Sequence, residues 1–244
     1  MIFCADGVEE ARQAIQPEGG GSIPTPALHN LHWVECQSPA ETAIFRETIN
    51  RFHSYMEYRD TCNRRINWNV YYNGEPIAAL GVNSALLALA CRDNWVGWDS
   101  QTRRAKLNSV ANNYRFAVRL KGVPNLGSRL LRGLRFNAAK AWKRKYGDEL
   151  LLIETLVKPP WEGKVYKADN WQCVGMTKGY SFSKAPVKLW QKEHSERGRL
   201  ARENPKAAIE KYAVGRKHYA VSRSEPKAVF MFPVVSNFRD VLCR

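Results

Sequence analysis

Glu154 is the acidic side chain best placed to do chemistry, because it interrupts an otherwise apolar segment. The run from Leu150 to Val157 is apolar except for Glu154 and Thr155, and it is bounded by Gly147-Asp148 and Pro159-Pro160. Such a run predicts a strand buried on both faces. A carboxylate there is costly unless it is paired, so Glu154 has either a basic partner or a raised pKa. A raised pKa suits a general base near neutral pH, and the sequence leaves both readings open.

A second candidate site is a turn that leads into a helix. A strand is predicted at 111–120, and residues 123–131 are predicted to form a tight loop that runs into a helix. The free N–H groups of a first helical turn and the helix dipole attract phosphate. Gly127 allows close backbone approach, Ser128 adds a hydroxyl, and Arg129 adds charge. These are also ordinary loop and helix-cap residues, so a structural role is the alternative.

Tyr166, Asn170 and Trp171 follow the glutamate strand at a recognisable spacing. GNAT acetyltransferases carry a tyrosine followed four and five residues later by Gly-Phe, and the order strand, loop, helix, strand, short helix, strand also resembles theirs. Asn tolerates the left-handed backbone that Gly supplies, and Trp can occupy the place of Phe. The resemblance implies that Tyr166 protonates the departing CoA thiolate; a structural tyrosine is the alternative.

The same resemblance implies an acetyl-CoA site, or a site for another acyl-CoA. The residues expected to bind this cofactor are Arg119, Asn125, Leu126, Gly127, Ser128, Arg129 and Asn170.

The positive charge of the chain is concentrated in its centre and C-terminal part. The formal net charge is +15. Residues 1–60 carry 4 basic and 9 acidic side chains, 61–183 carry 20 and 8, and 184–244 carry 14 and 6. Between Arg103 and Lys145 there are 13 Lys or Arg and no acidic residue. A polyanion is the expected partner, and a solvated helix face is the alternative. The side chains predicted to contact DNA are Arg103, Arg104, Arg115, Arg132, Arg135 and Lys178.

The chain is predicted to fold as an α+β protein with a GNAT-like mixed central sheet flanked by helices. Three segments are expected: a loosely ordered arm at 1–40, an acyltransferase domain at 41–183 and a basic C-terminal extension at 184–244. Within them, a first helix is predicted at 39–58, and Asn73-Gly74 predicts a hairpin. The basic extension is predicted to be helical, with a break near Asn204.

Several short motifs together resemble one specific group, the DruA-type domain of the Druantia anti-phage systems. They are His53-Ser-Tyr55, Trp95-Val-Gly-Trp98, Asn125-Leu-Gly-Ser128, Leu152-Ile-Glu-Thr155, Tyr166 to Trp171 and the terminal Asn237-Phe-Arg-Asp-Val-Leu242. A looser resemblance is to the phage Mom protein, which uses acetyl-CoA and modifies the adenine amino group in DNA to a carbamoylmethyl derivative.

These resemblances imply an acyl-CoA-dependent enzyme that modifies a DNA base amine, with adenine N6 foremost, in a phage or anti-phage setting. An enzyme of this kind must flip the nucleobase or take single strands, and it must supply a general base, for which Glu154 is the candidate, and an aromatic pocket. Trp95, Trp98, Tyr114 and Trp171 are the stacking candidates, although each could equally belong to the core. The alternatives are a non-catalytic DNA-binding component of a Druantia-type system and a protein or tRNA acetyltransferase.

His53 is a further catalytic candidate, because GNAT folds place acceptor-site residues near the end of their first helix. It could orient the substrate, bind a metal with Tyr55, or be a buried structural histidine. The sequence shows no metal-ligand spacing, so no metal site is predicted. No run reaches the ~20 apolar residues that cross a membrane, and no signal peptide is evident, so a cytoplasmic location is expected. A homodimer is compatible with the sequence.

Overall fold

The computed structural model describes residues 30–53, 57–59, 64–183, 190–212 and 220–243. These residues form two compact units: the larger takes in the described residues up to Val157, residues 161–175 and the described residues from Ala228 onward, and the smaller takes in residues 158–160 and the described residues of 176–227. No helix among the described residues is both long enough and apolar enough to span a membrane.

The larger unit is a mixed seven-stranded sheet with helices on both faces. Its strands are β1 (His32–Glu35), β2 (Arg65–Tyr72), β3 (Glu75–Ser84), β4 (Val110–Val118), β5 (Leu152–Val157), β6 (Gln172–Met176) and β9 (Ala228–Pro233). Its helices are α1 (Pro39–Phe52), α2 (Ala90–Val96), α3 (Ser100–Lys106), α4 (Leu126–Tyr146), α5 (Lys164–Ala168) and α8 (Phe238–Leu242). The α+β class predicted from the sequence, with a mixed sheet flanked by helices, is confirmed.

The strand order is β1-β2-β3-β4-β5-β9-β6. The β1–β2, β2–β3, β3–β4 and β5–β9 ladders are antiparallel, and the β4–β5 ladder is parallel. β2 and β3 form the predicted hairpin around Asn73 and Gly74, whose φ angles of 50° and 83° fit the tight turn. Strand β9 lies between β5 and β6, with Leu152 opposite Pro233 and Val157 opposite Ala228.

Two of the predicted segment boundaries therefore need correction. Strand β1 lies within the predicted N-terminal arm, yet it pairs with β2 and belongs to the sheet. Strand β9 and helix α8 lie within the predicted C-terminal extension, yet β9 is an internal strand of the same sheet. Helix α1 ends at Phe52 instead of continuing to residue 58, because His53 adopts an extended backbone.

Helix α4 covers one face of the sheet with an apolar stripe. Leu130, Leu131, Leu134, Ala138 and Trp142 are buried there against strand residues that include Ile66, Trp68, Val82 and Ile153. On the opposite face, Phe45 and Ile49 of α1 pack on Ala79 and Ala117, and a separate cluster beneath α2 contains Val110, Leu152, Val229 and Met231. We call these the α4 face and the α1 face of the sheet.

The smaller unit contains the antiparallel strands β7 (Tyr180–Ser183) and β8 (Ala220–Arg223) and the helices α6 (Glu196–Glu203) and α7 (Pro205–Tyr212). The predicted break near Asn204 is confirmed, because this residue leaves the helical conformation and Pro205 begins the next helix. The core of the smaller unit is formed by Trp190, Ala201 and Ala208.

Candidate active site

The central feature of the candidate site is a fork between β4 and β5. The parallel ladder comprises three pairs and ends where Asn112 lies opposite Glu154, although β4 continues to Val118 and β5 to Val157. The separation begins beside a bulge, because Gly81 pairs with Arg115 and Val82 with Asn113, which leaves Tyr114 as the extra residue. A bulge bends its strand and increases the local twist, so it accounts for the divergence of β4 from β5.

The fork leaves backbone groups of β4 directed toward the gap. Arg119 N donates to Ile77 O at 2.8 Å across the β3–β4 ladder. Backbone N–H groups alternate in direction along a strand, so those of Ala117 and Arg115 also point to β3. The N–H groups of Phe116 and Val118 therefore point toward the side from which β5 has separated. An extended ligand with amide groups could pair with this free edge.

The N-terminus of α4 lies at the same end of the sheet, since this helix follows β4. The N-cap is Asn125, in the left-handed conformation with a φ of 60°, and its carbonyl accepts from Arg129 N at 3.0 Å. The amides of Gly127 and Ser128 come earlier in the first turn and have no acceptor within the helix. They lie in the turn that the sequence predicts to bind phosphate.

Gly127 has a packing role in this turn. A Cβ atom at this position would lie 2.4 Å from Cγ2 of Val165, so only glycine allows α4 to approach α5 this closely. The contact places the first turn of α4 against the helix that carries Tyr166. The sequence predicts that Gly127 allows phosphate to approach the backbone closely. The structure shows that helix α5 approaches the backbone at this position.

Tyr166 lies at the vertex of the fork. Its hydroxyl donates to Oδ1 of Asn113 at 2.9 Å, and Oγ1 of Thr155 lies 3.4 Å away. Thr155 is the first residue of β5 beyond the last ladder pair, and its hydroxyl also lies 3.0 Å from Asn113 O. The ring is 7% exposed and packs on Phe116 and Phe230. A phenol hydroxyl is thus held where the two strands part.

The Tyr166-x-x-x-Asn-Trp segment has the local geometry that the sequence predicted. Asn170 is left-handed with a φ of 61°, and Trp171 is 4% exposed and packs edge-on against Tyr166. Trp171 therefore belongs to the core, as does Trp98 at 7% exposed. Trp95 stacks on Phe238. Tyr114 differs from the other three stacking candidates because it is half-buried in the bulge beside the fork.

Glu154 has the basic partner that the sequence left open. Its Oε2 accepts from Arg92 Nη1 at 2.9 Å, and its Oε1 accepts from Leu86 N at 2.8 Å. Both side chains of the pair are 0% exposed. Burial raises the pKa of the Glu154 carboxyl, while the Arg92 charge and the Leu86 N–H oppose that rise. Both carboxylate oxygens hold internal donors, an arrangement that favours a structural ion pair over a general base.

Arg92 extends this pair into a larger buried network. Its guanidinium also donates to Leu86 O and to Oδ1 of Asp93, and Asp93 accepts from Trp98 and Arg103. The network fixes helix α2 and the preceding loop against β5 on the α1 face.

Arg119 is occupied by contacts other than a cofactor. Its guanidinium donates to Oγ1 of Thr48 at 2.9 and 2.6 Å and lies 3.5 Å from Glu47. It therefore joins β4 to α1, and its assignment to the cofactor is corrected. Asn125, Leu126 and Ser128 remain at the predicted turn, with Leu126 buried beneath it and Arg129 half-buried beside it.

A polar cluster lies on the α1 face near the fork. Tyr114 donates from its hydroxyl to Oδ1 of Asn67 at 2.7 Å, and Arg115 lies over the Tyr114 ring at 4.8 Å. Gly81 makes room for this ring, since a Cβ there would lie 2.7 Å from it. Burial raises the pKa of the Tyr114 hydroxyl.

His53 caps the end of α1 close to this cluster. Burial and, secondarily, the charge of Arg115 lower the pKa of His53 to about 4. The ring is therefore neutral at neutral pH. Tyr55, its predicted metal-binding companion, lies outside the described residues, and within the described ranges no three His, Cys, Asp or Glu side chains could hold a metal ion together.

The low pKa of His53 predicts a pH-dependent stability. An unfolded histidine takes up its proton near pH 6.5, whereas the folded one does so near pH 4. The stability contributed by the neutral buried ring is therefore complete above pH 6.5 and is lost as the pH falls from 6.5 toward 4. Urea unfolding across this range should show the loss in the wild type and a weaker one in His53→Gln. If the free energy of unfolding fell equally steeply with pH in both proteins, this prediction would be contradicted.

The predicted DNA-contacting residues fall into two groups. Arg115 is 5% exposed, Arg103 pairs with Asp93, and Arg135 pairs with Asp169 and lies over the Phe232 ring. Burial and the neighbouring Arg132 lower the pKa of Arg135 to about 10. These three are interior or paired residues, so their assignment to a DNA surface is corrected. Arg104, Arg132 and Lys178 are exposed.

Three residues of the site were missed from the sequence: Asn113, Thr155 and Arg92. Asn113 and Thr155 interrupt apolar strand positions, and a buried polar residue in a strand is the signal that could have indicated them. Arg92 lies in a short helix with ordinary composition. Nothing in its surroundings in the sequence identifies it as the partner of Glu154.

Comparisons with known proteins bear on this arrangement. The family model described as Druantia protein DruA matches residues 8–243 of the chain. No curated protein matches the sequence.

Three solved structures illustrate the similarity in fold. The ribosomal-protein-S18-alanine N-acetyltransferase from Escherichia coli is 11% identical, with a TM-score of 0.45 and coverage of 84% of this chain and 94% of that one. An N-acyl amino acid synthase from uncultured soil microbes is 8% identical, with a TM-score of 0.44 and coverage of 84% and 90%. The polyamine N-acetyltransferase from Drosophila melanogaster is 10% identical, with a TM-score of 0.40 and coverage of 83% and 100%. Similarities at this distance carry no conclusion about activity.

Proposed function

The chain belongs to the DruA family, and we propose that it is an acyl-CoA-dependent transferase that modifies an exocyclic amine of a DNA base, with adenine N6 foremost. The observation that carries the proposal is the fork between β4 and β5, with the Tyr166 hydroxyl at its vertex and the first turn of α4 beside it. The phage or anti-phage setting and the cytoplasmic location belong to the same proposal.

The residues around the fork fit an acyl-CoA. The outward amides of Phe116 and Val118 suit the amide groups of its pantetheine arm, as in the addition of a strand to a sheet edge. The amides of Gly127 and Ser128 suit its pyrophosphate. When bound, acyl-CoA would supply an activated acyl carbon bonded to sulfur, and the protein has to hold that carbon near the vertex of the fork.

Tyr166 is the proton donor in this proposal. An amine nitrogen bonds to the acyl carbon, the carbon–sulfur bond breaks, and the leaving sulfur takes the Tyr166 proton. The proton that the nitrogen then loses returns to the Tyr166 phenolate through solvent, which restores the phenol. Tyrosine is one of the side chains that act as general acids. The hydrogen bonds to Asn113 and Thr155 hold the phenol in place.

The engagement of Glu154 by Arg92 is compatible with a base amine as acceptor. The lone pair of an exocyclic amine is delocalised into the ring, so this amine is uncharged at neutral pH and needs no base before it attacks. A lysine amine with a pKa near 10 would need one. The half-buried Tyr114 and its hydrogen-bond partner Asn67 supply an aromatic ring and hydrogen-bonding groups of the kind that base recognition uses.

Ser128→Glu tests the cofactor site without harming the fold. The substitution puts a carboxylate at the third position of α4, where it repels phosphate but favours the helix dipole. We expect acetyl-CoA binding, measured by isothermal titration calorimetry, to be lost in Ser128→Glu and retained in the neutral control Ser128→Gln. Wild-type protein that binds no acetyl-CoA, or equal binding by both variants, would contradict the site.

A second candidate function is a non-catalytic DNA-binding component. It is favoured by the structural engagement of Glu154, Arg119 and Gly127, which have partners other than a substrate or cofactor. A DNA affinity that is unchanged by acetyl-CoA and by Tyr166→Phe would support this function over the enzymatic one.

A further inference from the structure

The residues on the outer face of helix α4 take no part in the candidate active site described above. Its buried stripe faces the sheet, and the opposite side presents Arg132, Phe136, Lys140 and Lys143, spaced four, four and three residues apart. That spacing keeps all four on one side of the helix. Three cations over about 17 Å of helix therefore flank one aromatic ring.

Among the described residues, the cations of this stripe on the outer face of α4 are not neutralised by ion pairs, unlike several other arginines of the domain. Arg103, Arg119, Arg135 and Arg144 all contact carboxylates. In the part of the chain that the structure describes, no carboxylate pairs with Arg132 or Lys140. Lys143 lies 3.5 Å from Glu149, but both side chains are more than half exposed, so water screens the pair.

Phe136 is 60% exposed at the centre of the stripe. A single exposed apolar residue is common on protein surfaces. Its position between cations is what makes it informative, because unpaired bases stack on aromatic rings while their phosphates bind Lys and Arg. Duplex DNA hides its base faces and would leave the ring unused.

We propose that the outer face of α4, formed by Arg132, Phe136, Lys140 and Lys143, is a docking surface for single-stranded DNA. The proposal rests on the proposed function for its choice of DNA, and it deepens that function by making the substrate a single strand. The helix begins at the fork end of the sheet, since its N-terminus follows β4, so a DNA strand bound along this face extends to the vertex of the fork.

The test is fluorescence anisotropy of the full chain with a labelled single-stranded DNA oligonucleotide, its duplex, and RNA of the same sequence, all without acetyl-CoA. The triple variant Arg132→Gln/Lys140→Gln/Lys143→Gln should weaken single-strand binding at least about tenfold and reduce the salt slope by about 2. The control Arg51→Gln/Lys164→Gln/Lys206→Gln removes the same charge from other exposed sites and should change binding less than about twofold.

Phe136→Ala separates stacking from charge. It should weaken single-strand binding about tenfold and leave duplex binding within about twofold, whereas Leu87→Ala, at a site that is 70% exposed, should change neither. Equal losses in both triple variants, no effect of Phe136→Ala, or tighter binding of RNA than of DNA would each overturn the proposal. Because no acyl donor is present, these outcomes are independent of whether the transferase proposal fails.

Discussion

Replacing Arg92 with methionine is expected to lower the free energy of unfolding by about 3–5 kcal/mol. The substitution leaves Glu154 0% exposed without its counter-charge, and it also removes the donors to Leu86 O and Asp93. Glu154→Gln should be destabilising for the matching reason. Urea unfolding at neutral pH measures both effects.

The double variant Arg92→Met/Glu154→Leu distinguishes an ion pair from a general loss of packing. Removing both charges together avoids an uncompensated buried charge, so the double variant should be more stable than either single variant. The exposed pair of Arg51 and Glu47 provides the control, since Arg51→Met should cost less than about 1 kcal/mol. Strictly additive losses at Arg92 and Glu154 would contradict the account.

Tyr166→Phe is expected to lower turnover by about 10²–10⁴-fold, because it removes the proton donor at the vertex of the fork. The phenylalanine ring keeps the packing on Phe116 and Phe230, so the protein should remain folded and should still bind acetyl-CoA. The measurement is release of free CoA thiol with single-stranded DNA as acceptor.

Tyr146→Phe is the matched control for this change. Its hydroxyl also makes internal hydrogen bonds, donating to Arg65 O and accepting from Arg65 N, but it lies near the C-terminal end of α4. It should retain wild-type turnover. Turnover that survives in Tyr166→Phe, or falls equally in both variants, would remove Tyr166 from the chemistry.

The local features of this fold could be predicted because they depend on neighbouring residues. Asn73-Gly74 specifies a tight turn through its positive φ angles, Asn170 tolerates the left-handed backbone, and Pro205 stops the preceding helix. The order of elements around Tyr166 was readable for the same reason. Each depends on a few consecutive residues.

The contacts between distant segments could not be predicted. Arg92 lies 62 residues from Glu154, and Arg119 lies 71 residues from Thr48, so only the folded chain brings them together. The insertion of β9 between β5 and β6 could not be predicted either, because strand order depends on pairing between segments that are distant in the sequence. Positive charge in the sequence likewise did not distinguish buried Arg115 from exposed Arg132.

Mass spectrometry of nucleosides tests the central claim most directly. Plasmid DNA would be recovered from cells that express the wild type, Tyr166→Phe or Tyr146→Phe. The account predicts a new deoxyadenosine-derived mass with the wild type and Tyr146→Phe, and none with Tyr166→Phe. Unmodified nucleosides from cells that contain folded, DNA-binding wild-type protein would contradict it.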